Sequence, residues 1–196
     1  MHLLIISGFL GSGKTTILIK LAQLATQKGL RVAILVNEIG EIGIDDQLMR
    51  QLDLNVWELL NGCICCSLSK DLPATLQKIA DGYSPDFILL EPSGAADLEN
   101  VLSSLKYYRG SPLQSRRTAV IIDPLRLEKL IKVMTPLITS QIKLADIILI
   151  NKMDVASDTE MNHAKTITTE FNSGNKIFCI SAKDQLEPDV LLELLP

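Results

Sequence analysis

The stretch that most limits the folds open to this chain is GFLGSGKTT, residues 8–16. It directly follows an apolar run, residues 3–6, and directly precedes a helical pattern, residues 17–27. The pattern G-x-x-x-x-G-K-[ST] between a strand and a helix predicts a loop that binds phosphate, because successive N–H groups and the positive end of the helix point at the anion. A glycine turn formed by chance is the alternative. It is disfavoured because every position of the motif is filled in the right flanking context.

Residues 8–16 are called the phosphate loop from here on. The Lys14 ammonium is expected to reach the β- and γ-phosphates, and the Thr15 hydroxyl is expected to coordinate Mg²⁺. The remaining contacts to phosphate would come from backbone amides, those of Gly11, Ser12, Gly13, Lys14, Thr15 and Thr16.

Six apolar runs, each followed by a helical pattern, indicate the fold class. They are residues 3–6, 32–36, 87–90, 119–122, 147–150 and 177–180. Runs rich in Ile and Val without alternation suit strands buried on both faces of a parallel sheet. The sequence therefore predicts an α/β protein with a doubly wound, mostly parallel sheet and helices on both faces. Further predictions are helices over 14–28 and 71–81, a short strand over 56–60, and Arg116 and Arg117 preceding the strand at 119–122.

Length and composition exclude several classes of protein. A chain of 196 residues with 47% apolar residues suits one domain, residues 1–196. The net charge of −4 and the dispersed basic residues argue against a nucleic-acid partner. No apolar run reaches the ~18–20 residues that span a bilayer, and the start has no basic signal-peptide region. We therefore expect a cytoplasmic protein with no membrane partner.

Residues 37–46, which follow the second apolar run, contain two glycines and four acidic residues. Their position beside the phosphate loop favours a mobile switch segment that responds to the γ-phosphate or to a metal. A solvated surface loop is the alternative.

Three of the four cysteines fall within NGCICC, residues 61–66. Such clustering argues against a disulfide framework and for a metal or redox site. The thiolates of Cys63, Cys65 and Cys66 suit Zn²⁺, and Glu38 or Glu41 are candidates to complete a tetrahedral site. An open ligand position would suit a carrier. Small buried cysteines and a redox pair remain alternatives.

An acidic residue follows the run 87–90, in the sequence Glu91-Pro92-Ser93-Gly94. P-loop proteins hold Mg²⁺ with an acid at the tip of a buried strand, usually through water, and this predicts such a role for Glu91. Gly94 would offer a backbone N–H to the γ-phosphate, and a helix N-terminus is a second role for this turn. Asp123, after the next run, suits a helix cap as well as a functional residue.

The tetrad Asn151-Lys152-Met153-Asp154 follows the run 147–150 and is called the base tetrad here. The Asp154 carboxylate can accept from guanine N1–H and the 2-amino group together, a donor pair that adenine lacks. The Lys152 stem would lie along the base. The backbone of Ser181, Ala182 and Lys183 would contact guanine O6. An ATP-using P-loop kinase is thereby disfavoured, while Cys179, His2 and His163 are expected to have no role at the site.

Together these motifs resemble the CobW-type metallochaperone GTPases, relatives of the GTPases that insert nickel into hydrogenase and urease. The likeness lies in residues 8–16, 37–45, 58–66, 91–94, 141, 145–146 and 151–154. The resemblance implies a GTPase that binds Zn²⁺ or Co²⁺, with Ni²⁺ as a further option, and couples the metal to the GTP or GDP state. It also implies that Glu91 replaces the aspartate of other GTPases and that a client metalloprotein or cobalamin-related enzyme is the partner.

Two departures and two hypotheses follow from the resemblance. The sequence ends just after the GTPase motifs, so we expect no C-terminal CobW-type domain, and residues 181–183 are closer to general GTPases or the hydrogenase branch.

The first hypothesis is a Mg²⁺-dependent GTPase that loads or delivers metal, with Glu38 or Asp45 orienting the attacking water. The second is a regulatory or docking module that the nucleotide switches, through a homodimer or a partner enzyme.

Overall fold

A computed structural model of the chain describes residues 1–36, 55–58 and 68–196. Seven strands form one sheet in the order β3-β2-β4-β1-β5-β6-β7. The strands are β1 His2–Gly8, β2 Val32–Val36, β3 Asn55–Glu58, β4 Phe87–Glu91, β5 Ser115–Ile122, β6 Ile147–Ile150 and β7 Lys176–Cys179. Every pairing between these strands is parallel. The predicted α/β class is confirmed.

The described ranges also contain six helices and one 3₁₀ turn. The helices are α1 Lys14–Gln27, α2 Leu68–Tyr83, α3 Leu98–Ser104, α4 Pro124–Leu144, α5 Asp158–Phe171 and α6 Pro188–Leu194, and the 3₁₀ turn is Leu105–Tyr107. Within the described ranges, no helix is both long enough and apolar enough to cross a membrane.

Alternate residues of the strands pack into two separate cores, one on each face of the sheet. Leu3 and Ile5 of β1 join the core that α2, α3, α4 and α5 cover. Leu4 and Ile6 join the core that α1 and α6 cover. All four side chains are at most 1% exposed, which explains why the strands lack the polar alternation of a half-exposed sheet.

Some predicted boundaries were wrong. Arg116 and Arg117 lie inside β5 rather than before it, because β1 pairs with β5 from its first residue and sets Leu3 opposite Arg116. The last strand ends at Cys179, one residue before the predicted end, and Ile180 follows it. The helix predicted over 71–81 is α2, and it extends beyond that range at both ends.

Candidate functional site

The residues predicted to bind nucleotide follow strands of a parallel sheet. They therefore gather at one edge, the one that the carboxyl ends of the strands form. The phosphate loop follows β1, the turn with Gly94 follows β4, the base tetrad follows β6, and residues 181–183 come after β7. Ligands of open α/β sheets bind at the carboxyl ends of the strands, which is this edge.

Gly13 fixes how the phosphate loop enters α1. It is the N-cap of the helix with φ 103°, a left-handed conformation that side chains disfavour. A Cβ at Gly13 would also lie 2.3 Å from Nδ2 of Asn151. Both the backbone conformation and the contact therefore require glycine, and the loop amides then precede a helix N-terminus.

Three functional groups meet where the phosphate loop faces the end of β4. Oγ1 of Thr15 donates to Glu91, at 3.1 Å from Oε1 and 3.2 Å from Oε2. Nζ of Lys14 lies 3.8 Å from the same Oε1, and the two charged side chains are only 7% and 11% exposed. A hydroxyl and a carboxylate are the hard oxygen donors that Mg²⁺ prefers, so these residues fit that ion.

The turn after β4 packs directly on the phosphate loop. A Cβ at Gly94 would lie 2.9 Å from the backbone nitrogen of Leu10 and 3.4 Å from the carbonyl oxygen of Gly8. Nearby, the hydroxyl oxygens of Ser12 and Ser93 are buried and have no hydrogen-bond partner among the described residues. Buried hydroxyls are usually paired, so these two stand out beside the phosphate loop.

Asn151 connects the phosphate loop to the segment after β7. Its Nδ2 donates to the carbonyl oxygen of Ser12 at 2.7 Å, and its Oδ1 accepts from the N–H of Ala182 at 2.7 Å. The residue is 2% exposed. The first residue of the base tetrad thus holds both ends of the site in register, while contact between residues 181–183 and guanine O6 stays a prediction.

Lys152 is held by a carboxylate of a neighbouring strand end. Its Nζ lies 2.6 Å from Oδ2 of Asp123, and its φ of 67° is left-handed. Oδ1 of Asp123 accepts from the N–H of Leu125 and so caps α4. The cap that the sequence suggested is confirmed, and the same side chain also pairs with Lys152, a partner that the sequence did not predict.

Asp154 is paired at the surface of the site. Oδ2 of Asp154 accepts from Nζ of Lys183 at 2.9 Å, and the side chains are 23% and 75% exposed. This hydrogen bond lowers the pKa of Asp154 and raises the pKa of Lys183. Asp154 therefore stays an ionised, acceptor-only group at neutral pH, as recognition of two guanine donors requires.

Arg126 also reaches the phosphate loop, a contact that the sequence motifs did not predict. Its Nη1 donates to the carbonyl oxygen of Leu10 at 2.8 Å. The two residues are 116 positions apart, so no local pattern could have joined them. The position of Arg126, three residues after Asp123 at a strand end, is the one hint in the sequence.

The predicted transition-metal site falls outside the described residues. The switch segment 37–46 also lies outside them. The candidate metal ligands and catalytic acids that are affected are Glu38, Glu41, Asp45, Cys63, Cys65 and Cys66. Within residues 1–36, 55–58 and 68–196, no three His, Cys, Asp or Glu side chains are grouped to hold a metal ion. Cys179 packs, partly buried, against the core, and Nδ1 of His2 lies 2.8 Å from Oγ of Ser115.

Comparison with known proteins agrees with these features. A family model described as CobW/HypB/UreG, nucleotide-binding domain, matches residues 2–179. The zinc chaperone YjiA of Escherichia coli (strain K12) is 32% identical over 170 residues, covering 82% of this chain and 52% of that protein. The zinc-regulated GTPase metalloprotein activator 1 of Dictyostelium discoideum is 25% identical over 206 aligned positions, covering 86% and 43%. The chain spans about half the length of these relatives.

A solved structure gives the same result for the fold. The Zn(II)-bound YjiA GTPase from E. coli matches with a TM-score of 0.69 at 22% identity, covering 97% of this chain and 60% of that one. The two chains therefore share the architecture of the sheet and its helices.

Proposed function

Because the chain belongs to the CobW/HypB/UreG family of nucleotide-binding domains, we propose that it binds a guanine nucleotide and hydrolyses GTP to GDP and phosphate. The observation that carries this proposal is the meeting of Lys14, Thr15 and Glu91 at the phosphate loop. Asn151 supports it further, since one side chain ties that loop to the base tetrad.

Phosphoryl transfer needs mainly positioning and stabilisation of charge, and residues of this chain would supply both. Lys14 and the amides of residues 11–16 would bind the β- and γ-phosphates. Thr15 would hold Mg²⁺ directly and Glu91 through water, and the ion would neutralise charge on the phosphates. Glu38 or Asp45 would orient the attacking water, and the N–H of Gly94 would meet the γ-phosphate.

Recognition of guanine would rest on the base tetrad. Asp154 would accept from the two donors of guanine, Lys152 would lie along the base, and Asn151 would hold the tetrad against the loop. The ion pair between Lys152 and Asp123 supports this arrangement, because it holds the lysine against the buried carboxylate at the end of β5.

The chemical purpose of hydrolysis, on this proposal, is to handle a transition metal. The Cys-x-Cys-Cys motif of Cys63, Cys65 and Cys66, with Glu38 or Glu41, would bind Zn²⁺ or Co²⁺ as cargo, and the nucleotide state would alter its affinity. The curated relatives named as a zinc chaperone and a zinc-regulated GTPase support this. Nickel insertion is the alternative, and the receiver would be a client metalloprotein or cobalamin-related enzyme in the cytoplasm.

The experiment has two parts. GTP and ATP turnover with Mg²⁺ tests the activity: we expect GTP turnover, and equal turnover of ATP would contradict guanine recognition. Zn²⁺ and Co²⁺ affinities are then measured with a non-hydrolysable GTP analogue and with GDP. We expect the two nucleotides to give different metal affinities, and equal affinities would end the coupling proposal. Cys179→Ser is the matched control for serine variants of the three loop cysteines.

A regulatory docking module is the second candidate, and exposed apolar side chains favour it. Leu10 at the tip of the phosphate loop is 66% exposed, and Met153 and Val155 beside the base site are 53% and 59% exposed. A homodimer or a partner enzyme that docks on this edge would sense the nucleotide. Nucleotide-dependent docking that persists after all three loop cysteines become serine would favour the module over metal delivery.

A further inference from the structure

Arg126, in the first turn of α4, contacts the phosphate loop from outside every recognised motif. Its Nη1 donates to the Leu10 carbonyl oxygen at 2.8 Å and lies 3.1 Å from where a Cβ on Gly11 would be. In the part of the chain that the structure describes, this is the one hydrogen bond that the Arg126 side chain makes. The guanidinium therefore lies on the peptide group that joins Leu10 to Gly11.

The geometry of a peptide group gives that contact a consequence. In a planar trans peptide the C=O of one residue and the N–H of the next point in opposite directions. By holding the Leu10 oxygen from the side of α4, Arg126 turns the Gly11 N–H away from that helix. Gly11 carries the first of the six amides expected to hold phosphate. A charged donor on the carbonyl also polarises the peptide and makes its N–H a stronger donor.

Buried contacts fix the place of Arg126. The backbone oxygen of Asp123 accepts from the N–H of Arg126 at 3.2 Å, and Oδ1 of Asp123 accepts from the N–H of Leu125 at 3.1 Å. Asp123 is 4% exposed, and its other carboxylate oxygen pairs with Lys152. The first turn of α4 is thus tied to the base tetrad while its arginine reaches the phosphate loop.

A kink divides α4 into two parts, and both have residues in the core. Met134 has φ −132° and ψ 38°, which are not helical, and Pro136 lies just beyond it. Before the kink, Pro124 and Leu127 are the buried residues; after it, Ile138, Gln141 and Ile142 are buried. Leu127 belongs to the same core as Ile138 and Ile142, so the part of α4 that carries Arg126 is itself anchored in the core.

We propose that Arg126 is a positioning residue for GTP. Through the peptide between Leu10 and Gly11, it holds the Gly11 N–H in the orientation that binds the terminal phosphates. The proposal rests on the proposed GTPase function. It adds a residue that acts on phosphate binding without belonging to the phosphate loop or the base tetrad.

The kinetic test compares Arg126→Ala with Arg126→Lys and with a control, Lys129→Ala. Lys129 is an exposed cation on the same helix with no contact to the loop in the described structure. In Arg126→Ala, we expect affinity for a non-hydrolysable GTP analogue to fall about tenfold more than affinity for GDP, with a lower kcat. The lysine variant should restore part of the loss, because it keeps a charged donor. Lys129→Ala should match the unchanged protein.

A spectroscopic measurement tests the peptide directly. In the GDP-bound protein, the amide ¹H and ¹⁵N shifts of Gly11 should move in Arg126→Ala, while those of Gly29, just beyond the far end of α1, should not. Unchanged Gly11 shifts, or nucleotide affinities equal to those of Lys129→Ala, would overturn the role of Arg126. A chain that binds nucleotide but does not hydrolyse GTP would contradict the proposed function, and the Gly11 shifts would still decide the role of Arg126.

Discussion

The phosphate side and the base side of the site lie at one edge of one sheet but are built differently. On the phosphate side the charged side chains, Lys14 and Glu91, are 7% and 11% exposed and face each other. On the base side the group that would read guanine, Asp154, is 23% exposed and pairs with Lys183, which is 75% exposed. The buried residues there are anchors, namely Asn151 and Asp123.

This difference indicates how the two tasks are divided. On the proposed function, phosphate binding would use groups that the sheet and α1 hold in place, because charges so little exposed to water must be paired where they lie. Base recognition would use the more exposed pair, Asp154 and Lys183, whose position depends on buried neighbours. Changes on the phosphate side should therefore affect the fold and the chemistry together, and changes to the exposed pair should affect selectivity alone.

The largest effect on stability is expected for Gly13→Ala. The new Cβ would occupy a left-handed conformation and press on Asn151, which would release the buried groups of Ser12 and Ala182. We expect a loss of about 3–5 kcal/mol in the free energy of unfolding, measured in urea. Gly29→Ala is the matched control. Its φ of 81° is also left-handed, but no atom lies within 4 Å of the new Cβ, so we expect a loss of only about 1–2 kcal/mol in the free energy of unfolding. Equal losses would show that Asn151 does not clamp the loop.

Glu91→Gln should alter the metal dependence of nucleotide binding with a smaller effect on the fold. The amide keeps the shape of the side chain but removes the charge that faces Thr15 and Lys14. We expect the affinity for Mg²⁺ in the presence of a GTP analogue to fall by about 10–100-fold, as for other groups that hold a metal through water. Asp86→Asn removes the acid of an ion pair with Arg31 outside the site and should leave Mg²⁺ affinity unchanged. The same loss in both variants would contradict the role of Glu91.

The smallest effect is expected for Lys183→Ala, and it concerns pH. The Lys183 hydrogen bond lowers the pKa of Asp154 in the folded protein. The stabilisation from that pair is therefore complete above the ordinary pKa of aspartate and is lost as the pH falls through the lowered value. In the variant, an NMR titration of the Asp154 carboxyl should show a higher pKa, with little change in stability at pH 7, because both groups are exposed. An unchanged titration would show that Lys183 does not control this carboxylate.

Local patterns in the sequence predicted the fold and the loops at its edge, because buried parallel strands and a phosphate loop have short-range signals. The β2 and β6 boundaries agree with the apolar runs at 32–36 and 147–150. Contacts between distant residues could not be predicted in this way. The pair of Asp123 and Lys152 and the contact from Arg126 to Leu10 arise only when the strand ends come together.

The two arginines of β5 show a second limit of such patterns. Arg116 and Arg117 resemble a loop in sequence, yet they are strand residues because pairing with β1 uses the backbone and not their side chains. Near the same sheet end, Nη1 of Arg117 lies 3.4 Å from Oε2 of Glu193 in α6, so the charge is accommodated at the margin of the core. The apolar run at 119–122 therefore predicted the buried half of β5 but not its first residues.

The most direct test of a guanine site built at this edge is base selectivity in Asp154→Asn. An asparagine can donate to the 2-oxo group of xanthine but loses the acceptor for the guanine 2-amino group. We predict that GTP hydrolysis falls by roughly a hundredfold or more, while xanthosine triphosphate is hydrolysed at close to the original rate for GTP. An Asp154→Asn protein that hydrolyses GTP as before and ignores xanthosine triphosphate would contradict the account.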